Sequence, residues 1–424
     1  MSIEIKLALD QQWLRHPRMW FVRVVLLSIV IRFYLIFFTY GSNDVTAWAY
    51  HASHILQDGL FAYYRISWTH SAPLFNHSPF SGLFAAGVFA LSKIIHVPFG
   101  TLFRLPFALL DFVACFFLYK LLNDDKDRLV YVSLYLLNPL TILFSSYHGN
   151  TDSLIGVLLI MCVYFFSNNR IILAAVMFGL GTWIKWSIVL AAPVFFFAAA
   201  DNGKRLKFFT WAFGIFLLGY GIIFFRDPQI LWKNIFGYGG RYFKTQMGPI
   251  WGHSIFFHYI AYYCKVMFQM QSLKWLGWIY IILVRANRFI VGAAIFVYAW
   301  LQRSQRGEKE IGRTIGEVFC IFNGLSVFWA FQYLAWALPL WPLLGKRFSL
   351  FSSIIVGGYI YAFYSFASQS LLLKTPWVLR REHFFSGGVC VLRDMSVFLL
   401  FLYALIFLAK AARGYRRKQT CNNQ

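Results

Sequence analysis

Apolar runs of about 20 residues recur along the whole 424-residue chain, and each is long enough to cross a ~30 Å hydrocarbon core as a helix. A helix satisfies its backbone polar groups internally, which lipid-exposed loops and open strands cannot do. Charged residues make up only 13% of the chain, whereas AVILMFWYC make up 59%. These proportions exclude a disordered chain, a collagen, a coiled coil and an ordinary soluble enzyme. The sequence predicts an all-α polytopic membrane protein with about 11–13 transmembrane helices.

The chain carries 39 Lys and Arg against 16 Asp and Glu, a formal charge of +23. Much of this positive charge lies in short segments between apolar runs, where the positive-inside bias places it on the cytoplasmic face. The predicted partner is therefore the lipid bilayer, and no nucleic acid is needed to explain the charge. Both termini are predicted to be cytoplasmic, because basic residues precede the first apolar run and close the chain.

This topology places three long segments on the outer side, at residues 41–80, 226–274 and 367–388. We interpret residues 1–424 as a single integral membrane domain. Most of the histidines fall in these outer segments or at their mouths: His51, His54, His70, His77, His148, His253 and His383. Transporters more often bury ionisable groups at mid-membrane. Polar and ionisable residues gathered on one side of the membrane instead favour an enzyme or a receptor at the outer leaflet.

The first outer segment, residues 41–80, contains an amphipathic pattern. Val45, Trp48, Ala52 and Ile55 recur at helical spacing, with polar residues between them. This pattern predicts a helix that lies in the membrane interface.

Two acids on the outer side are candidates for chemistry. Asp44 follows the first apolar run by about one helical turn, so a rigid helix would hold it beside the membrane surface. Asp152, in the segment YHGNTDS, begins a descending helix. Purely structural roles are open for both: an Asx turn for Asp44, and a helix-dipole contact for Asp152.

Cations and histidines of the outer side have two interpretations. The glycine-rich segment FGYGGRYFK lets the backbone turn close to a ligand, with Arg241 and Lys244 as phosphate contacts, or these cations simply snorkel to the interface. His51 and His54 have the spacing of metal ligands, but no carboxylate follows at a matching position. We therefore predict no cofactor; a divalent metal stays open as an alternative but is not favoured.

The chain resembles the GT-C superfamily of membrane glycosyltransferases, and most closely its mannosyltransferase branches. The segments that carry the resemblance are RFYLIFFTYGSND, NHSPFSGLF, RLPFALLDFVACFFLYKLL, LLNPLTILFSSYHGNTDSL, GLGTWIKWSIVLAAPVFF, GPIWGHS and FQYLAWALPL. Their order and spacing match the family over most of the chain. Two departures are Ser78-Pro79 in place of the usual double proline, and a single acid, Asp44, in place of an acidic pair.

The resemblance implies a GT-C-like fold and an inverting transfer of a hexose, mannose above all, from a polyprenyl-phosphate sugar. The acceptor would be a glycolipid or another glycan at the non-cytoplasmic face of a bacterial inner membrane or the endoplasmic reticulum. Asp44 matches the family's catalytic acid and would be the general base. His148 and Asp152 would orient the sugar or the acceptor. Phosphate contacts would come from Lys185, Arg241, Lys244, His253, Arg380 and Arg381.

Three alternatives remain open from the sequence. A transporter or flippase of lipid-linked sugars would use charged residues at membrane depth: Arg32, Arg104, Asp111, Arg285 and Arg288. A polysaccharide polymerase or ligase would share the basic outer loops but use a diphosphate-linked glycan. A structural subunit would keep the fold but have no catalytic activity. A membrane partner subunit is compatible with each of these interpretations.

Overall fold

A computed structural model describes residues 17–68, 74–123, 125–236, 252–267, 269–270, 274–303, 310–327, 330–378 and 387–422. All regular secondary structure among these residues is helical. The first half of the chain forms α1 (Pro17–Phe38), α2 (Asn43–Asp58), α3 (Leu60–Ile66), α4 (Pro79–Ile95), α5 (Phe99–Leu121), α6 (Arg128–Leu136), α7 (Pro139–Ile142), α8 (Asp152–Ser167) and α9 (Ile171–Ile184). A π-helical turn, Leu143–His148, continues α7.

The second half is also helical but more broken. It contains α10 (Ala192–Ala198), α11 (Asn202–Arg226), α12 (Pro228–Ile230), α13 (Ser254–Val266), α14 (Lys274–Gln302), α15 (Ile311–Leu325), α16 (Lys346–Ala367) and α17 (Gly387–Asn422). Two 3-10 segments, Trp186–Ala191 and Phe331–Leu344, interrupt it. The second of these contains Pro339 and Pro342, which lack the amide hydrogens that a continuous α-helix needs.

The predicted polytopic membrane class is confirmed. Among the described residues, six helices are long and apolar enough to cross a membrane, or seven if α6 and the bent segment Pro139–His148 form one span. Four shorter apolar helices accompany them. The described residues contain fewer full-length spans than the predicted 11–13, because several apolar runs form short or broken helices, as at Trp186–Ala198.

A buried ion pair joins α1 to α5. The Arg32 guanidinium donates from Nε and Nη2 to Oδ2 of Asp111, at 3.1 and 3.0 Å. Tyr135 donates its hydroxyl to the other Asp111 oxygen at 3.2 Å. All three side chains are buried, so the pair is a structural link between helices and not an open ion pathway.

A second buried arginine, Arg104 of α5, closes the C-terminal end of α1. Its guanidinium donates to the carbonyl oxygens of Leu35, Ile36 and Thr39 at 2.8–2.9 Å. The first two carbonyls belong to the last turn of α1 and the third follows it directly, where intrahelical partners run out. It also donates to the carbonyl of Ser146 at 3.2 Å. Arg104 therefore fixes the point from which the chain enters α2.

The amphipathic helix predicted in the first outer segment is present as α2. Its apolar face packs on protein, because α2 contacts α4 and the Trp48 ring lies 5.5 Å from that of Phe103 in α5. Val45, Trp48, Ala52 and Ile55 are all buried. The helix therefore covers a small second core beside the main helical bundle.

Candidate active site

The junction between α1 and α2 is attached to the segment that precedes α8. Ser42 is the N-cap of α2, and its side chain accepts from the amide of Asp44. The same hydroxyl donates to the His148 carbonyl at 2.7 Å, and the Ser42 amide donates to the Tyr147 carbonyl at 3.2 Å. Because Ser42 caps the helix, the Asp44 carboxylate is not used for an Asx turn and is available for other contacts.

Close approach of the two segments requires Gly149. Its φ of +65° lies in the left-handed region, and a Cβ there would sit 2.6 Å from a Val45 methyl and 2.8 Å from Arg104 Cγ. Only glycine meets both conditions without rearrangement. This close packing brings the residues after Gly149 next to Asp44.

The Asp44 carboxylate contacts two side chains of that segment through one oxygen. Asn150 donates from Nδ2 to Oδ2 at 2.8 Å. His148 Nε2 lies 3.2 Å from the same oxygen, which is an ionic contact distance without the alignment of a hydrogen bond. Oδ1 has no hydrogen-bond partner among the described residues, and the Asp44 side chain is 35% exposed. The carboxylate is thus held on one side and open on the other.

Burial by itself would raise the pKa of Asp44, but neighbouring groups reverse the effect. The charge of His148, 3.2 Å away, and the hydrogen bond from the Asn150 amide together lower the pKa to about 2. Asp44 therefore stays ionised at any physiological pH.

His148 is enclosed by aromatic rings. Its ring stacks on Tyr364 at 5.7 Å between centroids and meets Phe331 at 5.3 Å and Phe144 at 6.1 Å. The side chain is only 2% exposed. Such rings hold the imidazole in place, and their faces favour a positive charge. His148 therefore lies behind Asp44, away from the open side.

A second ion pair lies beside the first. Lys185, at the end of α9, places its Nζ 3.0 Å from Oδ1 of Asp152, which also accepts the Trp336 indole hydrogen at 2.6 Å. The Lys185 ammonium lies 4.4 Å from the centre of the Tyr333 ring. Asp152 is 2% exposed, whereas Lys185 is 29% exposed. Lys185 is thus a cation with one free side.

Two further histidines line this region. The His77 ring lies 4.2 Å from that of Trp48. Burial, with the charge of Lys185, lowers the pKa of His77 well below its usual range. Burial, with the charge of His54, lowers the pKa of His51 to about 4. Both imidazoles are therefore neutral near pH 7, and neither supplies a cation.

The predicted site residues divide into three groups. Asp44, His148, Asp152 and Lys185 lie together, as described above. His253 makes other contacts among the described residues: its amide donates to the Ser326 carbonyl at 3.2 Å and its ring lies 6.4 Å from that of Phe401. Arg241, Lys244, Arg380 and Arg381 lie outside the described residues, as do His70 and His383.

Sequence reasoning did not single out Asn150, Tyr333 and Trp336 as site residues. Asn150 stands between His148 and Asp152, so the short polar segment YHGNTDS could have indicated it. Tyr333 and Trp336 are hidden in the apolar segment FQYLAWALPL, where aromatic residues are the default. Their packing distinguishes them from other aromatic residues: the centres of their rings lie 4.2 Å apart, and both rings lie next to the Lys185 ammonium.

The described histidines and acids of the site do not form an arrangement typical of a metal centre. No group of three or more His, Cys, Asp or Glu side chains comes together for a metal ion in the part of the chain that the structure describes. His51 Nδ1 contacts the Tyr63 hydroxyl at 2.6 Å, and His54 contacts Asp58 at 3.3 Å. These two histidines of the predicted ligand spacing are therefore used in separate contacts.

Two curated proteins are similar to part of the chain. GPI mannosyltransferase 1 of Kluyveromyces lactis is 28% identical over 103 residues, which are 23% of this chain and 25% of that protein. GPI mannosyltransferase 1 of Saccharomyces cerevisiae is 31% identical over 115 residues, 26% of each chain. This chain resembles membrane mannosyltransferases. It spans about a quarter of the length of the curated relatives it matches.

The two similarities, together with the apolar helices, support the general class of multi-pass membrane glycosyltransferases. No family model matches the chain, and no solved structure matches it.

Proposed function

We propose that this protein transfers mannose, with inversion, from a polyprenyl-phosphate-linked sugar to a glycolipid or another glycan acceptor at the non-cytoplasmic membrane face. The observation that carries the proposal is the state of the Asp44 carboxylate. It is ionised, its Oδ1 is open, and it lies close enough to Lys185 for their charges to interact. The local similarity to two mannosyltransferases supports the choice of sugar.

Asp44 is the proposed general base. As the acceptor oxygen bonds to the anomeric carbon, Oδ1 takes the hydroxyl proton. The bond from the anomeric carbon to the phosphate oxygen breaks on the opposite face, and its electron pair leaves with the phosphate. Asn150 and His148, both on Oδ2, keep Oδ1 directed towards the open side.

The leaving phosphate needs more positive charge than the described residues provide. Asp44 and Asp152 carry two negative charges, which the charges of Lys185 and His148 only balance, while His51 and His77 are neutral. An anionic donor would therefore meet a site without net positive charge. We therefore assign the remaining phosphate contacts to Arg241, Lys244, Arg380 and Arg381 of the second and third outer loops. His253 is not included in this assignment.

The buried charges favour an enzyme over a transporter. Arg32 and Asp111 bond to each other, and Arg104 bonds to backbone carbonyls. These three side chains are therefore used in structural contacts, and none of them offers a binding site for a substrate along a transport path.

The decisive experiment uses the purified chain in nanodiscs, with radiolabelled polyprenyl-phosphate mannose as donor and extracted membrane lipids as acceptor. Asp44→Asn should lower transfer roughly 10²–10⁴-fold, because a general base contributes this much. The matched control is Asp58→Asn, an acid of the same helix that contacts His54; it should retain activity. Full activity of Asp44→Asn would remove the proposed base.

Donor chemistry is tested in parallel. Transfer from a polyprenyl-diphosphate glycan, with none from the monophosphate sugar, would favour a polymerase or ligase. Transfer from neither donor, with or without added membrane partners, would contradict the enzymatic proposal.

A further inference from the structure

The outward face of α14 carries two arginines that the proposed reaction does not use. Arg285 and Arg288 are exposed and lie one turn apart, so their side chains share a face. α14 is a candidate membrane span and contains no Asp or Glu. No ion pair joins either arginine to an acid in the part of the chain that the structure describes.

Contacts of Asn287 give the depth of these arginines in the bundle. Asn287 Nδ2 donates to the Leu325 carbonyl at 2.9 Å, and its Oδ1 accepts from the Val327 amide at 3.2 Å. These partners lie at the C-terminal end of α15. Phe322, one turn earlier, packs 5.7 Å from the Trp336 ring, whose indole binds Asp152. Arg285 and Arg288 therefore lie near the height of the candidate active site, on the outer wall of the bundle.

The surface around the two arginines is apolar. Ile282 is 61% exposed and Phe289 is 72% exposed, with Ile281 and Ile290 exposed as well. Such a surface faces acyl chains in a membrane protein. An arginine in a membrane span costs about 3 kcal/mol when it lies near the centre, so residues of this kind generally have a charged or polar partner.

We propose that Arg285 and Arg288 form a surface site for a lipid whose headgroup ends in a phosphate monoester. Guanidinium groups bind phosphate oxygens in a bidentate fork, and lipid phosphate is the anion that this surface meets. Two positive charges that have no ion-pair partner among the described residues match a monoester, which approaches two negative charges at neutral pH. A phosphodiester headgroup brings only one. The site does not depend on the proposed sugar transfer.

The test uses the full chain in nanodiscs of phosphatidylcholine that contain either phosphatidic acid, a monoester, or phosphatidylglycerol, a diester. Native mass spectrometry then counts the lipids that each variant retains. We expect tighter retention of phosphatidic acid. The double variant Arg285→Gln/Arg288→Gln should bind it roughly tenfold more weakly, because it loses charge-assisted hydrogen bonds.

Arg347→Gln is the matched control, because Arg347 is an exposed arginine next to Lys346, which pairs with Asp127 near the start of α6. It should leave retention unchanged. A third variant, Arg285→Lys/Arg288→Lys, keeps the charge without the fork and should bind with intermediate affinity. Unchanged retention in the glutamine variant would overturn the site. Equal retention of phosphatidic acid and phosphatidylglycerol by the unmodified chain would overturn its preference for a monoester.

Discussion

At the residue scale, the candidate site depends on how neighbouring side chains set the charge of Asp44. Its pKa of about 2 results from the charge of His148 and the hydrogen bond from Asn150 acting against burial. The folded pKa lies below the unfolded value of about 3.9, so ionised Asp44 contributes stability above that value and loses it as the pH falls towards 2. The same balance decides how the proposed base responds to pH.

Replacing His148 should therefore move the acidic limit of activity. His148→Gln removes the charge that lowers the pKa of Asp44, while burial continues to raise it. The acidic limb of the kcat/KM profile should shift to higher pH by about one unit. His54→Gln, a change on the exposed face of α2, should leave the profile in place. An unchanged limb in His148→Gln would show that His148 does not control Asp44.

Lys185 is expected to contribute to both stability and activity. Lys185→Met leaves the buried Asp152 carboxylate without its cation and should lower the free energy of unfolding by about 2 kcal/mol, less than for a fully buried pair because Lys185 is partly exposed. The thermal unfolding midpoint in detergent measures this loss. Adding Asp152→Asn should restore much of the stability but not the transfer activity. Failure of the second change to restore stability would contradict the pairing.

At the scale of helices, the position of Asp44 depends on the ends of α1 and α8. Sequence reasoning identified α2 from its apolar spacing, and the acid after the first span from its place in the chain. It missed the contacts of Arg104 with α1, because carbonyl acceptors leave no pattern in side-chain order. It also missed the broken helices, since apolar runs alone do not show where a 3-10 segment replaces an α-helix.

The glycine at the start of the YHGNTDS loop gives a test at this scale. Gly149→Ala adds a Cβ at a φ of +65° and 2.6 Å from Val45. It should destabilise the protein by about 1–3 kcal/mol and lower transfer, because Asn150 and His148 would move away from Asp44. Thermal unfolding and activity measure the two effects. Gly87→Ala is the control, because a Cβ there meets nothing within 4 Å; equal behaviour of the two variants would contradict the close approach.

At the scale of the whole molecule, the helical membrane class followed from composition and run length alone. The convergence of Asp44, Asp152 and Lys185 needed the structure, because these residues come from three distant parts of the chain. Their roles, and the face on which they act, remain predictions. The charge distribution predicts that the Asp44 end of the bundle is non-cytoplasmic and that the opposite end, with the Lys346–Asp127 pair, is cytoplasmic.

Labelling of single cysteines tests this orientation. In a background without the native cysteines, Asp58→Cys should react with a membrane-impermeant maleimide added to the non-cytoplasmic side of sealed vesicles. Arg347→Cys should react only after the vesicles are opened. Both positions are exposed. The reverse pattern would place Asp44 in the cytosol and contradict the proposed face of action.

The pair of Arg32 and Asp111 has a consequence for biogenesis. The two residues are 79 positions apart, so α1 emerges from the ribosome with an arginine whose counterion has not yet been synthesised. Until α5 follows, this helix is a poor substrate for release into lipid, since an unpaired arginine is costly there. We therefore expect the insertion machinery to retain the first helix until α5 emerges, and nascent chains truncated before Asp111 to be removed by membrane quality control.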